Sequence, residues 1–155
     1  VLSWAADGNK WTNTSNGLRI GGIIGALNAG SGKTGTITGC TNTGMVTNES
    51  TNAKATQELG GILGYCSGGS AVINDCISNA TIKSLNATTA NIYSGAITGW
   101  VNNGAVTANN NGVAGKIIKT GGAETTITAD NFANCIWTLA AGKTVTTTTP
   151  NYFIQ

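Results

Sequence analysis

Six carboxylates (Asp7, Glu49, Glu58, Asp75, Glu124 and Asp130), a single arginine (Arg19), four cysteines and no histidine make up most of the chain's reactive inventory. Cleaving a polysaccharide needs acids or bases clustered on one face, to move a proton and to stabilise developing charge. These six are scattered from residue 7 to residue 130. No nucleophile motif, phosphate-cradling loop or calcium-loop pattern occurs, and "DGN" at 7–9 is only a turn signal. The expectation is a protein with no catalytic residues.

The cysteines stand at 40, 66, 76 and 135 with no CxxC pair and no histidine, which argues against a zinc site. No metal and no cofactor are expected. Disulfides of an extracellular protein are the alternative chemistry, and four cysteines permit three pairings. Among Cys40, Cys66, Cys76 and Cys135 the reading favours Cys40 with Cys76, against a stacked ladder of free thiols.

Whatever positions these groups is repetitive. "GGIIGAL…TITGCTNTGMVT" at 21–47 returns as "GGILGYC…VINDCISNATIK" at 60–83, and in weaker form as "GAITGWV…AVTANNNGVAGKI" at 95–117. Aligned, Ile23, Ile62 and Ile97 coincide, as do Gly25, Gly64 and Gly99, then Ile37, Ile73 and Val106, then Cys40, Cys76 and Asn109. Asp75 then falls with Gly39 and Ala108, so no carboxylate stacks above or below it.

The repeat length overlaps that of helical repeats, but no apolar i, i+3, i+4, i+7 pattern persists for three turns. Each unit is instead three short β-branched runs broken by Gly and Asn, which tolerate tight corners. Three strands with two corners describe one coil of a parallel β-solenoid, about 23 to 26 residues around, each strand pairing with those above and below. Stacking puts like on like about 4.8 Å apart, giving an isoleucine ladder inside and asparagine ladders at corners. The polar stretches "NESTNAKATQEL" and "KSLNATTANIY" read as loops inserted at one corner. The fold expectation is all-β: a parallel β-solenoid of about three coils, with a short C-terminal cap or an exchanged strand. An antiparallel β-sandwich is the alternative.

These repeats resemble the glycine-rich GLUG-type repeats of bacterial and some protist surface proteins, whose pattern is close to GGIxG, a short turn, then xIxNCxNxGxV. The likeness covers roughly residues 18 to 118, and "NFANCIW" resembles the shortened last coil of such arrays. It implies an extracellular β-solenoid acting as a stalk or adhesin-like module, without catalytic residues.

Strand alternation gives a face assignment. With Ile23, Ile62 and Ile97 inward, Gly25, Gly64 and Gly99 and then Leu27, Cys66 and Val101 also point in. Ala26, Tyr65 and Trp100 form one outward column. Exposed Tyr65 and Trp100 could stack on a sugar ring or pack on a subunit; the opposite parity puts them in the core or under the inserted loops. Thr36, Thr38, Thr47 and Thr107 suggest a hydroxyl array of the kind ice-binding solenoids use, but a column running Thr38, Asn74, Thr107 is broken. Asn-x-Ser/Thr acceptors occur at Asn13, Asn48, Asn79 and Asn86.

At 155 residues the chain has the length of one domain, read as an N-terminal cap (1–20), repeat coils (21–118) and a C-terminal coil and tail (119–155). Charged residues are 9% of it, against roughly 25% on average, and a net charge of +2 without a basic run excludes a nucleic-acid footprint. No stretch reaches the ~20 apolar residues of a membrane span. The start lacks both Met and a signal-peptide pattern, which reads as a mature or excised segment of a secreted protein. "KTVTTTTPNYFIQ" could cap the stack or add a strand to a neighbour, with Trp4 and Trp11 at the complementary end. The expected role is that of a surface or filament protein that associates with itself, with other surface proteins or with glycan.

Overall fold

A computed structural model describes residues 17–48, 56–84, 92–119 and 123–155. Trp4, Trp11, Asp7, Glu49, Asn13 and Asn86 lie outside the described residues.

The chain winds into a parallel β-solenoid. The first coil is β1 (Gly17–Gly21), β2 (Ile24–Asn28), β3 (Thr34–Thr38), β4 (Thr41–Asn42) and β5 (Met45–Asn48). The second is β6 (Thr56–Gly60), β7 (Leu63–Gly68), β8 (Ser70–Asn74) and β9 (Ile77–Ser84). The third is β10 (Ile92–Gly95), β11 (Thr98–Val101), β12 (Ala105–Asn109) and β13 (Gly112–Ile118). A shortened top follows: β14 (Glu124–Thr126), helix α1 (Phe132–Cys135), β15 (Trp137–Leu139), β16 (Val145–Thr146) and β17 (Tyr152–Phe153).

Like strands stack into four sheets: β1-β6-β10, β2-β7-β11-β15, β3-β8-β12-β16, and a fourth running from β4 and β5 through β9 to β13, with β14 and β17 beside it. Pairing is parallel throughout except where β14 returns antiparallel along β13, which sets aside the sandwich. The C-terminal segment folds back on its own chain, β16 on β12 and β17 on β13, as a cap and not as an exchanged strand.

Each coil is longer than the sequence suggested. Stacked residues lie 39 apart from the first coil to the second, at Arg19 and Glu58, and 35 apart from the second to the third, at Cys76 and Asn111. The difference is a fourth face. β6 and β10 occupy the ends of stretches read as inserted loops, because "TQELG" carries Gln57 and Glu58 on a strand that is nonetheless buried. Polar side chains in the interior hid the β pattern.

The first sheet turns into the second at the Gly-Gly-Ile corner. Ile23 N–H donates to Ile62 O, Ile62 N–H to Ile97 O and Ile97 N–H to Ile136 O, so the isoleucine ladder has four rungs. Ile62 and Ile97 are 0% exposed. A Cβ on Gly61 would lie 2.0 Å from Ala96 O and 2.1 Å from Ser78 Oγ, so the corner is tight enough to require glycine.

The second half of the third unit sits two residues off the sequence alignment, while its first strand keeps the aligned register. Ile37 and Ile73 stack on Ala108, not Val106, and the column of Cys40 and Cys76 continues to Asn111, not Asn109. Val106, the more apolar residue, attracted the alignment. A two-residue slip preserves strand parity, so both Val106 and Ala108 are buried. The true column Gly39, Asp75, Asn110 has φ of 63°, 55° and 52°, a left-handed corner that Asn and Asp accept at modest cost.

Candidate functional site: an aromatic and ionic crease

Tyr65 and Trp100 do stack in one column, with Ala26 below them. The neighbouring first sheet supplies a second column, Arg19, Glu58 and Tyr93. The two meet across the glycine corner. The Arg19 guanidinium lies 4.3 Å from the Tyr65 ring centre, and the Tyr93 and Trp100 rings stack at 4.3 Å and 5°. Tyr65 and Trp100 themselves are tilted, 33° apart at 5.5 Å.

This corrects the expected exposed platform: Tyr65 is 5% exposed and Trp100 half-buried. Both residues leave their own sheet outward, but Arg19 and Tyr93 cover them. Strict alternation also fails on β7. Leu63 and Cys66 are both 0% exposed although three positions apart, leaving Gly64 and Tyr65 between them. A Cβ on Gly64 would lie 2.8 Å from the Ile20 backbone, so the chain approaches the first sheet where the sequence lacks a side chain.

Arg19 Nε donates to Glu58 Oε2 at 2.9 Å, with the Glu58 side chain 2% and the Arg19 side chain 47% exposed. Burial pushes the Glu58 carboxyl above its ordinary range, against the pull of the Arg19 charge and hydrogen bond. The Trp100 indole N–H is buried without a hydrogen-bond partner. Tyr65 Oη accepts a long, 3.5 Å contact from Asn102. The crease can hold a carboxylate, a cation and three rings in fixed relation, but its ring faces are already occupied by one another.

Beneath it, Gln57 accepts hydrogen bonds from Asn48 and Ser84, all three buried. Asn48 as a glycan acceptor is thereby enclosed, whereas Asn79 is exposed.

The other acids are dispersed: Asp75 accepts from Asn110 at 2.7 Å, Glu124 pairs with Lys116 at 3.1 Å and Asp130 is exposed. Among the described residues no group of His, Cys, Asp or Glu is arranged to hold a metal. No described helix is long and apolar enough to cross a membrane. On the third sheet the column is Thr36, Val72, Thr107, Thr146, while Thr38 stacks with Asn74 and Asn109. Valine interrupts the hydroxyls.

All four cysteines are free thiols in this structure, and the favoured Cys40–Cys76 disulfide is not formed. The thiols have other occupations. Cys76 Sγ lies 3.2 Å from Asn74 O and 3.8 Å from Ile37 O, Cys40 Sγ 3.5 Å from Thr38 O, and Cys66 Sγ 3.7 Å from Ala105 O. Cys135 reaches the Asn131 side chain at 3.9 Å. Cys66 stacks between Leu27 and Val101, so no cysteine adjoins it in its column.

Comparison of the chain with protein-family models, curated proteins and solved structures finds no match.

Proposed function

We propose that the chain is a structural module of an extracellular or cell-surface protein, a stalk or adhesin unit or a filament subunit that associates through the ends of its coil stack. The observation that carries this reading is the inequality of the two ends. Among the described residues, β1, β2, β3 and β4 each have one strand partner. Ile23, Ile24 and Leu27 are only partly buried, while their counterparts Ile62, Leu63 and Cys66 are 0% exposed. The top of the stack, by contrast, tapers into strands of two and three residues. A long edge at one end and a trimmed edge at the other suit a directional contact with another layer of strands, made by a second copy or by another surface protein. The likeness to GLUG-type repeats supports a place outside the cell.

Light scattering over a concentration series, with negative-stain microscopy, tests the association: oligomers or fibres are expected, and monomers at every concentration overturn it. Protease accessibility on intact source cells tests the location.

A carbohydrate-binding module is the second reading; it needs Tyr93 to move off the Trp100 ring, which would uncover a stacking face and the buried, unpartnered indole N–H. A glycan array run with the native chain and Trp100→Ala decides it; equal or blank arrays remove it.

A further inference from the structure

We propose that Cys40 and Cys76 are an oxidisable pair, and that their oxidation closes a covalent staple between the first coil and the second. The two occupy the same corner on adjacent coils. Thr41 and Ile77, the residues that follow them, are strand partners, and Ile77 N–H donates to Cys40 O at 2.8 Å. Stacking in register sets the two Cα atoms about 4.8 Å apart, inside the roughly 4.4–6.8 Å that a disulfide spans. Both residues lie in the corner, outside the strands.

The side chains are also neighbours. Burial raises the Cys76 thiol above its ordinary range; a hydrogen bond with the Cys40 backbone opposes this, and the Cys40 side chain and the Asp75 charge add to the rise. Their present contacts are S–H···O approaches to carbonyls: Cys40 to Thr38 O at 3.5 Å and Cys76 to Asn74 O at 3.2 Å within their own coils, and, between coils, only the 3.8 Å approach of Cys76 to Ile37 O. Higher in the same column, Asn111 and Asn151 join coils through amide hydrogen bonds of 2.8 to 3.1 Å. Thiols therefore stand at the rungs where that amide staple is missing.

Cys40 is partly exposed and Cys76 is 0% exposed, which orders the chemistry. The Cys40 thiolate attacks one sulfur of a small-molecule disulfide, breaks its S–S bond and releases the first thiolate. Cys76, its proton passing to solvent, then attacks the Cys40 sulfur of the mixed disulfide and releases the second. Two electrons pass from the pair to the oxidant.

The test equilibrates the full reduced chain with glutathione at graded ratios of oxidised to reduced form. It is followed by acid quenching, denaturation, alkylation and peptide fragmentation by mass spectrometry. The expected product joins Cys40 to Cys76 with Cys66 and Cys135 alkylated, and its thermal midpoint lies several degrees above that of the reduced protein. Cys40→Ser leaves Cys76 alkylated at every ratio and abolishes the rise. A stable Cys40–glutathione adduct, a bridge to Cys66 or Cys135, dimers through Cys40, or four alkylated cysteines at the highest ratio each overturn the proposal. Mapping the bridge in the native chain decides between these outcomes even if Cys40→Ser does not fold.

Discussion

Asn111 and Asn151 hold the same corner on successive coils, and each reaches down one rung to make the same bonds. Asn111 Nδ2 donates to Ile73 O at 2.9 Å and Asn151 Nδ2 to Ala108 O at 3.1 Å. Asn111 Oδ1 accepts the Cys76 N–H at 2.9 Å, as Asn151 Oδ1 accepts the Asn111 N–H at 3.0 Å. One amide thus satisfies a donor at the corner and bonds a strand-end carbonyl of the coil below.

Asn111→Ala leaves the buried Cys76 N–H and Ile73 C=O without these partners. We expect a loss of about 1–3 kcal/mol in urea unfolding. Asn109→Ala, at a half-buried position that accepts from Thr148 and Thr149 near the edge, is expected to lose less. Equal losses contradict the assigned role of the corner.

Gly64→Ala tests the approach of the first two sheets. Its new methyl would meet Gly25 O at 2.4 Å and the Ile20 carbonyl at 2.8 Å, all backbone. The expected cost is at least about 1–3 kcal/mol. Gly44→Ala is the control, since the nearest atom there is Asn42 Oδ1 at 3.5 Å. Similar midpoints for the two variants would remove the packing argument.

The crease sets a pH dependence. Burial first, opposed by Arg19, raises the Glu58 pKa above 4.5, so the folded state holds this proton more tightly than the unfolded chain does. Its contribution to stability is full below the unfolded value and is lost as pH rises through the folded value. Unfolding measured between about pH 4 and about pH 8 is expected to show this decline flattened in Glu58→Gln and steepened in Arg19→Leu. A decline unchanged in Glu58→Gln assigns it to another group.

Tyr93→Ala uncovers one face of the Trp100 ring. Quenching of tryptophan fluorescence by acrylamide is expected to become more efficient, with a red-shifted emission. Unaltered quenching means that Trp100 is screened by something other than Tyr93.

The solenoid was legible because isoleucines, glycines and corner cysteines recur, and parity survives small errors in alignment: reading Val106 for Ala108 left both on the inner face. The first sheet was not legible. Gln57 and Glu58 look like loop residues, and only the partners brought by folding, Asn48 and Ser84 for one and Arg19 for the other, make their burial tolerable. The same blindness hid the cover over Tyr65 and Trp100, since Arg19 and Tyr93 arrive from that unseen sheet. The column itself could be read from the repeat; what lies on it could not.

The size of the coil bears on what such a module is good for. A turn of 35 to 40 residues advances the stack by only about 4.8 Å, whereas the same residues fully extended would span more than about 100 Å. As a spacer this is poor use of sequence. What the winding yields is girth: four walls whose strands hydrogen-bond from coil to coil, resisting bending and twisting, on which corner loops can be held at fixed height and bearing. In this architecture length is scarce and rigidity is plentiful.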